Sequence, residues 1–487
     1  MVARRPSAFS LMSDQPYSSL DVDRPVANFR VIAMIVASAM LMENIDATVL
    51  ATALPTMARD FGVDAPAMSI ALTSYLLSLA IFIPASGRIA DRYGSRTVFR
   101  TAIFVFIVGS ICCALAPSLP TLVLARLLQG AGGAMMMPVG RLVLMRSVAR
   151  KDMVSAISWL LIPALVGPIL GPPIGGLIVT YLDWRWIFYI NVPIGIVGMI
   201  VVSLYIQEFK GETITRFDWV GFLISGVSLG ALLFGFELGS HEGEGWLAIG
   251  LIATGCVFGM AYLRHASRHP APIMDFSLMK VPSFGTSVIA GSLTRITQGA
   301  QPFLLPLLFQ LGFGYSAAAA GQMVIATAIG SLLMKPFAKP VYRYMGFRIS
   351  LAVNGVLGTI GYGICAMFGP DWPVWLMFLV MTLGAFFMSF QFTAYNTIAY
   401  DEIPPERMSS ATSFYTTIQQ LMLSLGICIG ALALRGSMAA GGNSQPGLAD
   451  FSTAFIVVTL ISITATIWNL RFHPNAGAEI SGHVARR

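Results

Sequence analysis

The chain has 487 residues, of which 56% are apolar and only 11% are charged, with a formal net charge of +7. A soluble domain carries about 25% charged residues, so this composition cannot cover a water-exposed surface. It excludes an ordinary soluble enzyme, a disordered chain and a secreted disulfide scaffold, and it indicates an all-α polytopic membrane protein.

Fourteen apolar segments follow one another along the chain, each long enough to cross a bilayer as a helix of about 20 residues. The polar first 29 residues precede them and are expected to form a tail. An even number of spans places both termini on the same side of the membrane. The predicted helices cover residues 30–54, 67–87, 98–116, 121–144, 155–181, 186–207, 217–238, 245–264, 284–311, 316–338, 349–368, 373–398, 409–434 and 451–471.

Basic residues are distributed asymmetrically between the predicted loops. If the termini are cytoplasmic, the outer loops contain only Arg59, Arg185 and Arg435, while Arg126 and Arg295 lie inside helices. All the other Lys and Arg residues, out of a total of 30, then lie in cytoplasmic segments. Because cytoplasmic loops carry an excess of Lys and Arg, we predict cytoplasmic termini.

A short basic loop occurs twice, at residues 87–96 after the second predicted helix and at residues 339–348 after the tenth. Each loop follows the second helix of a six-helix block, and repeated halves with a central binding site are typical of secondary transporters. The predicted units are a cytoplasmic tail (1–29), an N-terminal six-helix half (30–207), an inserted helix pair with its loops (208–283), a C-terminal six-helix half (284–472) and a second cytoplasmic tail (473–487).

Ionisable residues within predicted spans are costly and therefore mark candidate functional sites. Glu43 and Asp46 are three positions apart on one face of the first helix. Their repulsion and burial favour a protonated form of at least one of them, as a proton carrier requires. The alternatives are a cap on a water-filled vestibule or a structural ion pair. Arg126 lies at a similar depth and is a candidate partner, either in a proton-releasing pair or in a permanent one.

Arg295 is predicted near the membrane midplane in the ninth helix, where it indicates an anionic or carboxylate-bearing substrate. The alternative is an ion pair with Glu43 or Asp46 across the two halves. Other polar and aromatic side chains within the spans are candidates for a substrate cavity, or for hydrogen bonds between helices. They are Gln129, Trp159, Gln298, Gln310, Gln391, Tyr395, Asn396, Tyr415, Gln419 and Gln420.

Glycine and proline alternate in the fifth predicted helix. Proline removes a backbone hydrogen bond and kinks a helix, whereas glycine allows another helix to approach closely. A bent, closely packed helix suits a rocking interface between two halves, and packing alone is the alternative. The residues concerned are Gly167, Pro168, Gly171, Pro172, Gly175 and Gly176.

Five motifs occur in order along the predicted helices. They are D-x-T-x-x-x-x-A-L-P at residues 46–55, G-x-x-x-D-R-x-G-x-R at 87–96, R-x-x-Q-G-x-G at 126–132, the Gly-Pro run at 167–176 and W-R-W-x-F-x-x-N-x-P-x-G at 184–195. With these motifs the chain resembles the major facilitator superfamily. More narrowly, it is similar to the fourteen-helix drug:proton antiporters and, among them, to the MdtD-like bacterial exporters.

The resemblance implies the major facilitator fold, with two six-helix halves plus an inserted pair, in a bacterial inner membrane. It implies export of small molecules by alternating access, driven by inward proton flow, and no cofactor. The Gly-Pro run corresponds to the antiporter motif, and the first basic loop to a latch on the cytoplasmic side. The latch residues are Gly87, Asp91, Arg92, Gly94 and Arg96.

Several functions remain open at this stage. A multidrug exporter is favoured, an exporter of an anionic metabolite or a siderophore-like metal chelate is the alternative, and a proton-coupled importer is less consistent with the antiporter motif. The expected partners are lipid, protons and a small-molecule substrate, and the sequence leaves open whether a periplasmic adaptor protein is needed. We expect no enzymatic activity, no resident metal and no nucleic-acid binding.

Overall fold

The computed structural model describes residues 29–148, 153–210, 217–239, 245–270, 272–404 and 407–483, with the side chains of 145–146, 153–165 and 409 not described. Most of the predicted N-terminal tail and the last four residues lie outside these ranges. Within them, the regular structure is helical and contains no strand.

The helices of the N-terminal half are α1 (Phe29–Phe61), α2 (Ser69–Tyr93), α3 (Ser95–Ala114), α4 (Leu119–Ser147), α5 (Met153–Tyr181), α6 (Trp186–Tyr189) and α7 (Asn191–Tyr205). The inserted pair consists of α8 (Trp219–Leu238) and α9 (Gly245–Ala266). The rest of the chain forms α10 (Pro282–Leu307), α11 (Ala317–Leu333), α12 (Lys335–Gly363), α13 (Val374–Ile398), α14 (Met408–Gly441), α15 (Leu448–Ile463), α16 (Ala465–Asn469) and α17 (Ala478–Ser481).

Every predicted span coincides with helix, and the differences lie at the ends and in interruptions. The sixth predicted span is divided at Ile190 and the last at Thr464, while α10 passes into a π-helical turn at Leu308–Gly312. Eleven helices in the described ranges are long and apolar enough to cross a membrane. The count of fourteen spans stays a prediction, since α5, α10 and α11 are not among the eleven.

The two halves repeat one packing arrangement. In the first, α1 packs on α5, α2 on α4, and α3 on α4 and α7; in the second, α10 packs on α14, α11 on α13, and α12 on α13 and α15. The halves meet where α5 packs on α11 and where α2 packs on α14. The inserted helix α8 contacts both α2 and α14, so it lies beside one of these two junctions.

The two basic loops adopt related backbone conformations. Gly94 has φ +96° and Gly346 has φ +69°, a region that L-residues with a side chain rarely adopt. In the first loop, Glu208 accepts hydrogen bonds from the backbone N–H groups of Arg96 (3.0 Å) and Thr97 (3.2 Å), so a carboxylate caps the start of α3. A tight turn held by an acid therefore connects α2 to α3.

The linker between α9 and α10 is held to the start of α14. Arg407 donates hydrogen bonds to Asp275 Oδ2 (2.7 Å) and Ser277 Oγ (2.5 Å). Burial works to raise the pKa of the Asp275 carboxyl, but hydrogen bonds from Ser277 and Arg407 outweigh it and hold that pKa below its usual value. The carboxylate is therefore ionised at neutral pH, as an ion pair requires.

Glycines of the Gly-Pro run allow α5 to lie against its neighbours. A Cβ on Gly167 would lie 2.6 Å from Asn44 Cβ, and one on Gly175 would lie 2.6 Å from the Val49 carbonyl oxygen, both on α1. A Cβ on Gly176 would collide with the backbone of Ala317 on α11, and one on Gly321 with the backbone of Pro172. The run therefore serves two interfaces, one within the N-terminal half and one between the halves.

Substituting Gly176 with alanine should loosen the junction between α5 and α11. The new methyl group would meet backbone atoms, which cannot rotate away, and overpacking of this kind costs about 1–3 kcal/mol. We expect a lower melting temperature for Gly176→Ala in detergent. Gly230→Ala on α8 is the matched control, because a Cβ there meets nothing within 4 Å. Equal melting temperatures for the two variants would contradict this assignment.

Candidate functional site

A buried polar network surrounds Asp46 in the N-terminal half. Asp46 Oδ2 accepts a hydrogen bond from Arg126 Nη1 at 2.7 Å, and Oδ1 accepts from Gln129 Nε2 and Asn191 Nδ2, both at 2.8 Å. Gln129 Nε2 also donates to Ser110 Oγ at 2.8 Å. Asp46 therefore connects α1 to α4 and α7 directly, and to α3 through Gln129.

Arg126 is fully buried and is held from several directions. Its Nε donates to the Ala71 carbonyl oxygen at 3.1 Å, its Nη1 also donates to Gln129 Oε1 at 2.6 Å, and its guanidinium lies 4.3 Å from the centre of the Tyr75 ring. Removing one member of a buried ion pair leaves an uncompensated charge and costs about 3–5 kcal/mol. Loss of either charge is therefore expected to destabilise the packing of α1 against α4.

Glu43 is also buried, with 9% of its surface exposed, and it lies one turn before Asp46. Its Oε2 has no hydrogen-bond partner in the described part of the chain, and neither has the Tyr75 hydroxyl. A buried polar atom without a partner is costly. Glu43 thus differs from Asp46, whose two carboxylate oxygens are both satisfied.

A central cavity of about 350 Å³ lies between the two halves, within the size range of small-molecule sites. It is lined from α1, α5, α10, α11, α12 and α13, and its surface combines small, polar and aromatic side chains. Representative lining residues are Thr52, Pro168, Gln298, Gln301, Lys335 and Phe392.

The structure places the predicted cavity residues at several different locations. Gln298 lines the cavity, and Gln129 belongs to the Asp46 network. Gln391 is 1% exposed, and its Nε2 lies 3.5 Å from the Leu351 carbonyl oxygen on α12. Asn396 donates a hydrogen bond to the carbonyl oxygen of Phe392 within its own helix. Trp159 lies in α5, but its side chain is not among those that the structure describes.

Arg295 lies in the interior of the C-terminal half. Its Nη2 donates to the Tyr415 hydroxyl (3.0 Å) and to Gln419 Oε1 (3.1 Å), and its guanidinium lies 4.8 Å from the Tyr415 ring centre. Tyr395, nearby, donates to Asn469 Oδ1 at 2.6 Å. In the described ranges no carboxylate lies within ion-pair distance of Arg295, so the considered pair with Glu43 or Asp46 does not form.

Sequence reasoning missed several residues of the Asp46 network. Asn191 belongs to the motif at residues 184–195, but Ser110 and Tyr75 resemble ordinary residues of apolar helices and carry no signal of their own. Glu237 does carry a signal in the sequence, because it is a carboxylate within the predicted seventh span. An acidic residue inside a span is a functional candidate by default.

Glu237 connects three parts of the molecule. On α8 and 2% exposed, it accepts hydrogen bonds from Ser69 Oγ of α2 (2.5 Å) and Cys428 Sγ of α14 (3.5 Å). We expect Glu237→Ala to lower the melting temperature in detergent, since a buried group that loses its partner costs about 1–3 kcal/mol. Glu237→Gln, which keeps an acceptor oxygen, should lose less. Equal melting temperatures for wild type and both variants would show that this contact does not hold α8 in place.

Two repeated helical halves with a cavity between them are the architecture typical of the secondary transporters. A family profile described as Major Facilitator Superfamily matches residues 36–427 and, in a second match, 287–482. The chain belongs to the major facilitator superfamily and is a multi-pass membrane protein.

Named relatives and solved structures agree with this assignment. The chain is 38% identical to MdtD of Escherichia coli O6:H1 (strain CFT073) over 404 residues, which cover 82% of this chain and 85% of that protein. MdtD of Salmonella heidelberg (strain SL476) is 36% identical over 405 residues, with the same two coverages. The name of both relatives describes a multidrug resistance protein.

Solved structures share the fold at low sequence identity. The POT family transporter PepTSo has a TM-score of 0.67 at 14% identity, covering 90% of this chain and 97% of that chain. A D-xylose-proton symporter has a TM-score of 0.65 at 15% identity, covering 90% and 96%. These similarities concern the fold alone.

Proposed function

We propose that the protein exports small molecules across the bacterial inner membrane by proton antiport and alternating access, with both termini in the cytoplasm. The observation that carries the proposal is the buried Asp46–Arg126 ion pair beside Glu43 in α1. Together, Asp46, Glu43 and Arg126 supply two carboxylates and one guanidinium. When one carboxylate binds a proton, Arg126 compensates the charge of the other.

Helix α1 connects the proton site with the cavity. Asp46 faces the network with α4 and α7, whereas Thr48 and Thr52 of the same helix line the cavity. Protonation of Asp46 removes the negative charge that Arg126 compensates and weakens three hydrogen bonds. A shift of α1 in response would change the cavity wall, which supplies the coupling that antiport requires.

Hydrogen bonds join the halves at the predicted outer end, where α1 and α5 finish, and we infer that they close this end of the cavity. Gln310 Nε2 donates to the Thr52 carbonyl oxygen at 3.0 Å, and the Ala318 N–H donates to Thr180 Oγ1 at 3.1 Å. Alternating access would break these contacts and form others at the opposite end. In this mechanism the first basic loop, with Gly87, Asp91, Arg92, Gly94 and Arg96, acts as the cytoplasmic latch.

Two substrate classes are proposed, in order of preference. A multidrug substrate range is favoured by the names of the relatives and by a cavity that mixes amide groups with apolar and aromatic surface. An anionic substrate is the second candidate, because Lys335 lines the cavity and Arg295 lies in the C-terminal half without a carboxylate partner in the described ranges.

Proton movement in everted membrane vesicles, followed with a pH-gradient dye, tests both proposals. Cationic drugs, organic acids and metal chelates would be added in turn to energised vesicles with and without the protein. Dissipation of the proton gradient by any compound, only in vesicles that contain the protein, supports antiport and identifies the substrate class. Movement of the same compound out of the vesicle lumen, in the same direction as the protons, would instead establish import and overturn the proposed direction.

A further inference from the structure

The predicted cytoplasmic end of the inserted helix pair contains a cluster of metal-ligating side chains that transport does not use. Asp218 precedes α8, while His265 and His269 lie at the end of α9 and just beyond it. Ligand atoms of these three residues lie within 4.8 Å of one another. We propose that Asp218, His265 and His269 bind one divalent transition-metal ion of the Zn²⁺, Co²⁺ or Ni²⁺ class.

The two histidines are held on the same side of α9. The His269 N–H donates to the His265 carbonyl oxygen at 3.0 Å, so the helical spacing continues through the turn, and the two ring centres are 5.2 Å apart. A four-residue spacing brings side chains of a helix next to each other. Both imidazoles are half-buried, whereas the neighbouring Arg264 and Arg268 are exposed and turn their charges towards solvent.

Asp218 has a buried carboxylate oxygen that is available to a metal ion. It is 4% exposed, and its Oδ1 accepts hydrogen bonds from the Gly221 N–H and from His265 Nε2, both at 2.8 Å. Its Oδ2 is buried without a hydrogen-bond partner in the described ranges. A buried, unsatisfied carboxylate oxygen beside two imidazoles requires an explanation, and a bound cation provides one.

The donor set determines the class of ion. Two imidazole nitrogens and one carboxylate suit Zn²⁺, Co²⁺ and Ni²⁺, whereas Ca²⁺ and Mg²⁺ prefer oxygen ligands. Bonds of about 2.0–2.2 Å place the ligands of one tetrahedral ion about 3.4 Å apart. Ligand atoms that are farther apart than this in the cluster must therefore approach each other, and His265 must exchange its 2.8 Å hydrogen bond to Asp218 for a bond to the metal.

Binding at this position would brace the inserted pair against the N-terminal half. One turn before His265, the Tyr262 hydroxyl accepts a hydrogen bond from the Met274 N–H at 2.8 Å and so holds the linker to α10. Arg88, in the first basic loop, donates to the Pro272 carbonyl oxygen of that linker at 3.3 Å. A metal ion that joins α8 to α9 would therefore stiffen a segment in contact with the proposed cytoplasmic latch.

The test measures ion binding by the full-length protein, purified in detergent with an affinity tag that contains no histidine. Equilibrium dialysis against micromolar Zn²⁺ should give about one ion per chain, and Co²⁺ should give visible absorption bands of an ion with nitrogen ligands. We expect His269→Gln and Asp218→Asn each to reduce affinity by about 10-fold or more. Asn is also a good N-cap residue, so Asp218→Asn keeps the start of α8.

The controls are His473→Gln and His483→Gln, which change histidines outside the cluster and should leave binding unchanged. Absence of bound Zn²⁺ in the wild type would overturn the proposal, and so would equal binding by wild type and both cluster variants. Thermal unfolding with and without Zn²⁺ adds a second readout, with stabilisation expected in the wild type and not in His269→Gln. None of these results depends on transport.

Discussion

Asp46→Asn is expected to abolish substrate-driven proton flux, reducing it to the level of vesicles that lack the protein. Asparagine matches aspartate in size and can still accept hydrogen bonds from Gln129 and Asn191. It cannot bind and release a proton in the physiological range. The variant keeps these two hydrogen bonds but leaves Arg126 without its counterion. Its melting temperature is therefore measured beside the proton flux, which the pH-gradient dye reports.

Two comparisons make the result specific. Asp371→Asn changes an exposed acid in the loop before α13 and should transport like the wild type. Glu43→Asn removes the other carboxylate of α1 and shows whether both acids are required. If Asp46→Asn retains the wild-type proton flux at equal protein amounts, Asp46 is a structural partner of Arg126, and Glu43 becomes the leading proton carrier.

The second large effect is expected for Arg126→Gln, which should strongly lower thermal stability in detergent. The change leaves Asp46 buried without its cation, and breaking a buried ion pair in this way costs about 3–5 kcal/mol. It also removes the hydrogen bond to the Ala71 carbonyl oxygen and the contact with the Tyr75 ring. We expect a clear fall in melting temperature together with loss of transport.

A double-mutant cycle distinguishes the ion pair from simple packing. Combining Arg126→Gln with Asp46→Asn removes both charges, so the double variant should be more stable than Arg126→Gln alone. Arg59→Gln is the control, since Arg59 is exposed at the end of α1 and donates to Thr56. Additive losses in the cycle would mean that the charges of Asp46 and Arg126 are not coupled.

In the proposed mechanism, helix α1 serves both the proton site and the cavity. Along α1, the side of Glu43 and Asp46 meets charged and polar groups of the N-terminal half, and the side of Thr48 and Thr52 meets the cavity. The Gly-Pro run of α5 keeps the second side close to a neighbouring helix, with Gly167 against Asn44. In the proposed mechanism, movement of α1 would therefore be transmitted to the junction with the C-terminal half.

The family was predictable from the sequence because long apolar segments identify membrane helices directly. A long apolar segment must become a helix when its backbone polar groups have no water to bond. Every predicted span accordingly contains helix, and the similarity to the major facilitator superfamily, inferred from five motifs, is confirmed by the family match. The interruptions at Ile190 and Thr464 were not predicted, because both lie within continuous apolar segments.

The candidate site was only partly predictable. Asp46 and Arg126 could be singled out because charges are rare inside spans, and depth along each helix suggested that they were neighbours. Rotation of each helix about its axis is set by packing against other helices, which sequence spacing does not specify. For this reason the sequence leaves open whether Gln391, Tyr395 and Gln419 line a cavity or form hydrogen bonds between helices, and the contacts that the structure gives them lie within the C-terminal half.

By itself, then, the sequence determined that this is a helical membrane protein of two repeated halves with a charged α1. It did so because the length of apolar segments, the basic residues of the loops and the charged residues within spans can all be read locally along the chain. Only the tertiary structure decided that Asp46 joins Arg126, Gln129 and Asn191, that Arg295 has no acidic partner in the described ranges, and that Glu237 connects α8 to both halves. Those partners are distant in sequence, and only the packing of helices brings them within hydrogen-bond distance.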